Sequence, residues 1–507
     1  MQDSANLFSE LSSHWREGSR TALETGGGER YRFADVAAIS ARLAHALAAS
    51  GVKPGDRVAV QAGKSPEALF LYLACLRAGA AYLPLNTAYT QAELDYFLKD
   101  AEPAVFVCQP EHAGAGAALC AGAAVPHCFT LGTAADGTLM QLAAGQSSEF
   151  SDIPRAADDL AAILYTSGTT GRSKGAMLTH GNLSSNARAL VEAWRFTADD
   201  VLLHALPIFH THGLFVAANV ALMSAASMLF LPKFDADEIL RLLPRATAMM
   251  GVPTFYVRLL AGERLSRQAA RHMRVFISGS APLLPDTFRE FLERTGHAIL
   301  ERYGMTETGM NTSNPYEGER VPGSVGLPLP GVELRIVHSE TGAMLGPEEI
   351  GMIEVRGPNV CKGYWRMPDK TKAEFRDDGY FITGDLGKID RRGYVHIVGR
   401  GKDLVISGGY NVYPKEVESE IDALDGVFES AVIGALHPDL GEGVVAVVVR
   451  RNGELTEADV LEPLKARLAA YKLPKRVIFT EDLPRNTMGK VQKNLLRDSY
   501  RDLFVPR

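Results

Sequence analysis

Little in this chain of 507 residues suits an oxidising compartment. It has 5 cysteines, an odd number, at positions 75, 108, 120, 128 and 361. Their spacing matches neither a disulfide framework nor a metal motif, which points to reduced thiols and a cytoplasmic setting. Positive charge is also scarce. Lys and Arg number 53 against 60 Asp and Glu, leaving a net charge of −7, which argues against a nucleic-acid partner. The most apolar stretch, 215–231, is interrupted by Asn219, Ser224 and Ser227; it reads as a core helix and strand, not a membrane span. The N-terminal residues carry neither the basic nor the apolar segment of a secretory leader. No internal repeat or low-complexity block stands out.

What is present is an ordinary globular composition, 46% hydrophobic and 22% charged, in a chain long enough for two or more large cores. The most informative segment runs from Tyr165 to Gly175. An apolar strand-like run, Leu160 to Leu164, leads into Thr166, Ser167, Gly168, Thr169, Thr170, Gly171, Arg172, Ser173 and Lys174. Gly permits backbone conformations that aim successive N–H groups at one anion. The hydroxyls add donors and the two cations add charge, so the loop suits a polyphosphate. A flexible surface loop has the same composition, but this one follows a buried strand, where α/β sheets place ligands. It lacks the Gly-Lys-Ser/Thr of a P-loop. The pattern from Gly171 to Gly175 matches a hydrolase elbow around Ser173, but such an elbow needs a strand running straight into the Ser. A serine hydrolase and a nucleotide-binding protein without catalysis are therefore the weaker readings.

Helical and strand-like segments alternate from Tyr31 onward: a helix over 33–50, a strand at 56–61, a helix at 66–77 and a strand at 81–85. The rhythm continues through strands near 201, 227, 248 and 275. This predicts a parallel α/β sheet. Strands separated by Gly, Pro and Asp turns from about 321 to 398 suggest a small antiparallel barrel or sheet. After the short polar segment Gly399–Asp403, a compact α+β unit follows. The expected organisation is an N-terminal domain over 1–399, a hinge at 400–403 and a C-terminal lid over 404–507.

Four more constellations carry chemistry. Glu301, Arg302, Tyr303, Gly304, Met305, Thr306 and Glu307 combine an aromatic with hydroxyl and carboxylate groups. A base can stack on such a ring, and a carboxylate suits Mg2+. Thr383-Gly384-Asp385, with Arg400 downstream, offers an acidic anchor for ribose hydroxyls. Pro484 to Val491 contains a Gly489-Lys490 turn. His210-Thr211-His212 lacks a third nearby ligand, so it is weak as a metal site.

Taken in order, the phosphate loop, Tyr303 to Glu307, Thr383 to Asp385, Gly399-Arg400 and Pro484 to Lys490 resemble the acyl-adenylate-forming superfamily of acyl-CoA synthetases, adenylation domains and luciferases. The resemblance spans essentially the whole chain. It implies an α/β fold: a large N-terminal domain of two α/β subdomains plus a small β-barrel, and a small mobile α+β C-terminal domain. It implies two half-reactions with ATP, Mg2+ and CoA, in which a carboxylate is adenylated and AMP is then displaced by a thiol.

By resemblance, Thr166, Ser167, Gly168, Thr169, Thr170, Lys174, Ser280, Ala281, Glu301, Tyr303, Gly304, Thr306, Asp385 and Arg400 bind nucleotide, and Glu307 holds Mg2+. Lys490 bridges carboxylate and phosphate oxygens. His210 gates the acid's carboxylate, and His212 is structural. Lys402 is the hinge, and rotation of the C-terminal domain brings Ser407, Gly408 and Gly409 to the CoA tunnel. Pro484 and Gly489-Lys490 also resemble a pattern read by protein lysine acetyltransferases, so an acetyltransferase and a deacetylase acting on Lys490 are expected partners.

No Asp stands where amino-acid-activating relatives pair the substrate ammonium. The segments 206–214, 251–258, 277–284 and 301–314 closely resemble the malonate–CoA ligases of the superfamily. That implies that Arg258 pairs with the distal carboxylate of the acid. It also implies that Thr211, Ser280, Met305 and Met310 line the acyl pocket, with Thr211 and Met310 crowding its α-carbon. Malonate is then the expected acid and methylmalonate the second choice; another short-chain mono- or dicarboxylic acid is the alternative.

Overall fold

A computed structural model describes residues 4–15, 18–166, 173–408, 410–451, 455–486 and 489–504. The chain forms two compact units, Met1–Glu333 with Arg356–Phe381, and Leu334–Val355 with Ile382–Arg507.

The first unit contains two sheets. The six-stranded one runs in the order His127–Thr130, Val105–Cys108, Arg57–Gln61, Ala81–Pro84, Leu160–Thr166, Lys174–Thr179. Its strands are parallel except the last pair. Parallel strands covered on both faces read as unbroken apolar runs, and Val105–Cys108 is buried at every residue. The helix Pro66–Arg77 is buried around its whole circumference. Ser65 caps it by accepting from the Ala68 amide, and Pro66 occupies its first turn. It packs on the helices Phe33–Ala49 and Leu7–Ser13, so it is an inner helix with no solvent face.

The nine-stranded sheet follows the order Leu327–Pro328, Gly309–Ser313, Leu300–Met305, Val275–Ser278, Ala248–Gly251, Val201–His204, Ser227–Phe230, Thr21–Thr25, Arg30–Arg32. It is parallel in the middle and antiparallel at both ends. Ser227–Phe230 supplies the strand expected in the apolar stretch. Among the described residues, no helix is long and apolar enough to cross a membrane.

The second unit also has two sheets. Glu333–Val337, Gly351–Arg356, Phe381–Ile389 and Val395–Arg400 form a four-stranded sheet. Its strand path is open among the described residues, which corrects the expected small barrel: the first and last strands are edges and are not joined to each other. The short turn Gly401–Asp403 leads from this sheet into the next. That five-stranded sheet carries Tyr410–Val412, Val405–Ser407, Gly441–Arg450 and Val427–His437 in order, with Arg476–Thr480 parallel to Gly441–Arg450. Along Gly441–Arg450, Val444, Ala446 and Val448 face one apolar cluster while Val445, Val447 and Val449 face another. The period of two fills both sides of the sheet.

Candidate active site

Thr166 and Lys174 are cross-strand partners at the mouth of the hairpin formed by Leu160–Thr166 and Lys174–Thr179. Ser167, Gly168, Thr169 and Thr170 lie outside the described residues. Beneath the mouth sits a polar cluster. Thr166 Oγ1 donates to Glu307 Oε1 at 3.1 Å, and the Tyr364 hydroxyl donates to the same oxygen at 3.2 Å. Lys174 Nζ lies 3.0 Å from Glu374 Oε1 and 4.2 Å from the Tyr364 ring centre. Tyr364 also donates to Glu374.

Burial raises the Glu307 carboxyl above its ordinary range, against the pull of Lys174, Thr166 and Tyr364. Glu374 is also penalised by burial, but hydrogen bonds from Lys370, Tyr364 and Lys174 hold it below its usual value. A buried carboxylate with hydroxyl neighbours suits a hard divalent cation, so Glu307 fits the Mg2+ role expected of it. Tyr364 and Glu374 had no motif to announce them.

Glu307 follows the strand Leu300–Met305, which pairs antiparallel with Gly309–Ser313. The register shifts between Tyr303 and Gly304. A Cβ on Gly304 would lie 2.1 Å from the Gly309 carbonyl and 2.6 Å from the Met310 methyl, so only glycine fits. Tyr303, Met305 and Thr306 are half-buried beside this turn. The buried Glu301 carboxylate accepts from the Leu283 amide at 3.3 Å, which fastens the segment containing Ser280 and Ala281. Ser280 has a positive φ of 72°, a strained conformation for a non-glycine residue. Its hydroxyl faces His212 Nδ1 at 3.2 Å.

Thr211 Oγ1 approaches Thr306 Oγ1 at 3.5 Å. Thr211, Thr306, Gly309, Asn186 and Phe215 border a cavity of ≈ 10 Å³, space for no more than one water. Met310 is buried next to it, fixed by its amide and carbonyl to the Asn186 side chain at 3.0 and 2.9 Å.

Sequence reasoning missed the group that dominates this region. Arg302 is 3% exposed, and its Nε and Nη2 have no partner. It forms no ion pair among the described residues. A Cβ on Gly279 would sit 2.5 Å from its guanidinium carbon. Burial pushes Arg302 down to about 9. Burial and then Arg302 push His210 down to about 4, and the same two causes hold His212 well below its ordinary value. Both imidazoles are thus neutral, and Arg302 is left as an uncompensated buried cation.

Arg258 is different. It lies on the helix Pro253–Leu260, as expected, but is exposed, with its guanidinium 5.8 Å from the Phe234 ring centre. The helix turns its apolar residues Phe255, Tyr256 and Leu259 inward and leaves Arg258 on its solvent side.

In the second unit, Asp385 is buried and pairs with Arg400 across the strands, Arg400 Nε lying 3.2 Å from Asp385 Oδ1. Thr383 Oγ1 receives the Asp385 amide at 3.1 Å, and Gly384 takes a positive φ of 74° to make the turn. Lys490 belongs to the same electrostatic neighbourhood. Burial, then Arg400 and Lys402, push it down to about 8, opposed by Asp385 and Asp403. Lys402 is itself lowered by burial and Arg400. Ser407 ends the strand Val405–Ser407, and Gly408 follows with a φ of 59°. Gly409 lies outside the described residues.

The family model described as AMP-binding enzyme matches residues 13–365, and that of the AMP-binding enzyme C-terminal domain matches 416–490. The chain belongs to the AMP-binding enzyme family. Among solved structures, ATP-bound MatB from Rhodopseudomonas palustris is 62% identical with a TM-score of 0.97, covering 99% of this chain and 100% of that one. A feruloyl-CoA synthase of an Amycolatopsis species is 38% identical over 94% of this chain and 95% of its own length. The malonate–CoA ligase of Arabidopsis thaliana is 36% identical over 89% and 79% respectively.

Proposed function

We propose that the acid activated by this enzyme is malonate, with methylmalonate second, and that malonyl-CoA, AMP and pyrophosphate are the products. The chain is an AMP-forming acid–CoA ligase that uses ATP, Mg2+ and CoA. The observation that carries the choice of acid is Arg302. An isolated cation in a dry interior is costly, and a bidentate carboxylate is the natural partner of a guanidinium. A diacid adenylated at one end brings that partner with its other end. Ferulate and acetate bring none. The likeness to the Arabidopsis malonate–CoA ligase agrees with this reading.

In the proposed adenylation, Thr166 and Lys174, with the loop between them, hold the phosphates. Tyr303 stacks on adenine beside Ser280 and Ala281; Asp385 and Arg400 hold the ribose. Mg2+, when bound, would neutralise phosphate oxygens, and Glu307 is the residue to hold it. Lys490 stabilises charge that develops between carboxylate and α-phosphate. His210, uncharged, borders the reacting carboxylate and leaves the distal one to Arg302. Residues 400–403 act as the hinge, with Lys402 at its centre, and its rotation withdraws Lys490 and presents Ser407 to Gly409 to CoA. An acetyltransferase acting on Lys490 would discharge the cation, and a deacetylase would restore it. Five free thiols agree with a cytoplasmic location.

The test is a panel of acids with ATP, Mg2+ and CoA, scored by AMP release and thioester mass. Malonate is expected to lead, methylmalonate to follow, and succinate, acetate and ferulate to be weak. Acetate or ferulate turning over as fast as malonate would refute the assignment and favour a mono-acid ligase.

Arg258 is kept as a contact made to the distal carboxylate from the solvent side. Exposed pairs are worth about 0.2–1 kcal/mol. Arg258→Ala is therefore expected to raise the malonate KM by about fivefold at most, measured by initial rates. On this reading the α-substituent lies toward Thr211, which borders a cavity of only ≈ 10 Å³. Thr211→Ala should raise the ratio of ethylmalonate to malonate turnover by about tenfold, the ~1–3 kcal/mol that one methylene is worth in a pocket. An unchanged ratio would remove Thr211 from the acyl pocket.

A further inference from the structure

Two residues that belong to none of the motifs tie the sheets of the first unit together. Lys64 follows the strand Arg57–Gln61 of the six-stranded sheet. His204 ends Val201–His204 in the nine-stranded sheet, in register with Phe230 at the end of Ser227–Phe230. Lys64 Nζ donates to the His204 carbonyl at 2.8 Å and lies 2.9 Å from His204 Nδ1. The same nitrogen is 4.3 Å from the Phe230 ring centre. All three residues stand at the carboxyl ends of parallel strands, the side of an α/β sheet where ligands sit.

The His204 ring carries the contact inward. It is buried, and its Nε2 lies 2.8 Å from the Gly213 carbonyl oxygen. That oxygen only accepts, so Nε2 carries the hydrogen and Nδ1 is the acceptor for the Lys64 amine. Burial, then Lys64, hold His204 well below its ordinary value, so the ring is neutral and keeps this tautomer.

Gly213 is the last link. A Cβ on it would lie 2.0 Å from the Pro207 carbonyl oxygen. The Leu214 amide donates to the His210 carbonyl at 3.0 Å. The backbone from Pro207 to Leu214 is therefore a tight loop. His212–Ala218 continues it as a π-helix, a form frequent at functional sites. His210 and Thr211 stand on this loop, so a shift of the Gly213 carbonyl would move both.

We propose that Lys64 and His204 are positioning residues for acid activation: together they fix the Gly213 carbonyl and hold the loop carrying His210 and Thr211 against the reacting acid. Neither need touch the acid. Lys64 supplies the hydrogen bond that orients the imidazole, and the imidazole supplies the one that holds the loop. This rests on the placement of His210 beside the carboxylate argued above, and not on the acid being malonate. Displacing a reacting group by about 1 Å costs up to about 10²-fold in rate, so a slackened loop should show in kcat.

The experiment is acid-dependent exchange of labelled pyrophosphate into ATP by the full-length enzyme, with whichever acid the wild-type protein exchanges fastest. Lys64 borders a cavity of ≈ 820 Å³, so methionine replaces it without crowding. Lys64→Met is expected to lower kcat by about tenfold while the ATP KM stays within about twofold, a split that marks misplaced chemistry and not lost nucleotide binding. His204→Leu lowers kcat at least as far. His204→Gln, whose amide N–H takes the place of Nε2, recovers most of that loss. The double variant Lys64→Met/His204→Leu should be no worse than His204→Leu alone, because the two residues act through one contact. Wild-type kcat in Lys64→Met overturns the proposal, as do losses that multiply in the double variant or an ATP KM that rises in step with the fall in kcat. His210→Ala, assayed beside them, separates the two readings. If it loses rate and Lys64→Met does not, only the positioning role fails; if neither loses rate, the placement of His210 fails with it. Lys64→Met decides the matter even if His204→Leu folds poorly.

Discussion

Arg302→Met is expected to lower kcat/KM for malonate by about 10²-fold or more while making the ligand-free protein more stable. The two effects have one cause. In the folded protein the guanidinium is buried without a counter-charge, with Nε and Nη2 unbonded. Removing one partner of a buried ion pair costs ~3–5 kcal/mol, and about 3 kcal/mol is two orders of magnitude in rate. In the proposed complex that partner would be the distal carboxylate of malonate. Without the substrate there is no pair to break. Replacing an uncompensated charge by an apolar side chain of similar length then stabilises the fold, by about 1–4 kcal/mol on the scale of buried-ion replacements. Thermal denaturation of the ligand-free variant reads this directly. A residual acetate activity that changes little would complete the signature. A variant that loses stability together with activity would make Arg302 a structural cation and leave the choice of acid unsupported.

Lys490→Ala is expected to lower malonate-dependent adenylation by about 10²–10³-fold, the usual cost of removing one donor to a developing anion. Thioester formation from supplied malonyl-adenylate and CoA should change little, because the proposed hinge motion would withdraw Lys490 for that step. Equal loss of both steps would refute the division. The wild-type pH profile adds a second reading. In the proposed role the cationic form is the active one, and burial pushes Lys490 down to about 8. The ammonium is complete below that value and is lost as pH rises through it, so kcat/KM for adenylation should fall on the alkaline side near pH 8. Lys490→Arg keeps its charge throughout and should remove that limb, whatever its absolute rate.

The parts of the fold that were legible are those where one periodicity dominates. The helix Pro66–Arg77 and the strand Ala248–Gly251 appear where the apolar runs placed them. The hairpin Val427–His437 with Gly441–Arg450 extends beyond its apolar centre because backbone pairing continues through Gly434 to His437, where side-chain pattern carries no signal. Turn spacing announces antiparallel strands but says nothing about closure, and among the described residues that sheet is open.

Motif order singled out Thr166 and Glu307, which are hydrogen-bonded to each other, and, in the second unit, Asp385 and Lys490, which share one electrostatic neighbourhood. It could not find Arg302, which stands between Glu301 and Tyr303 in the same motif. An Arg in a strand has no sequence mark for which face it takes or whether a carboxylate waits there. The same gap holds for Arg258, whose helix was legible and whose exposure was not. Tyr364 and Glu374 join Lys174 across some two hundred residues of chain and belong to no local pattern.

The most direct measurement is a crystal structure of the enzyme with malonyl-adenylate bound. The account predicts the distal carboxylate within about 2.7–2.9 Å of the Arg302 guanidinium, at charge-assisted hydrogen-bond distance, with Thr211 and Met310 against the α-carbon. A distal carboxylate turned to solvent, with Arg302 still unbonded behind it, would contradict the account.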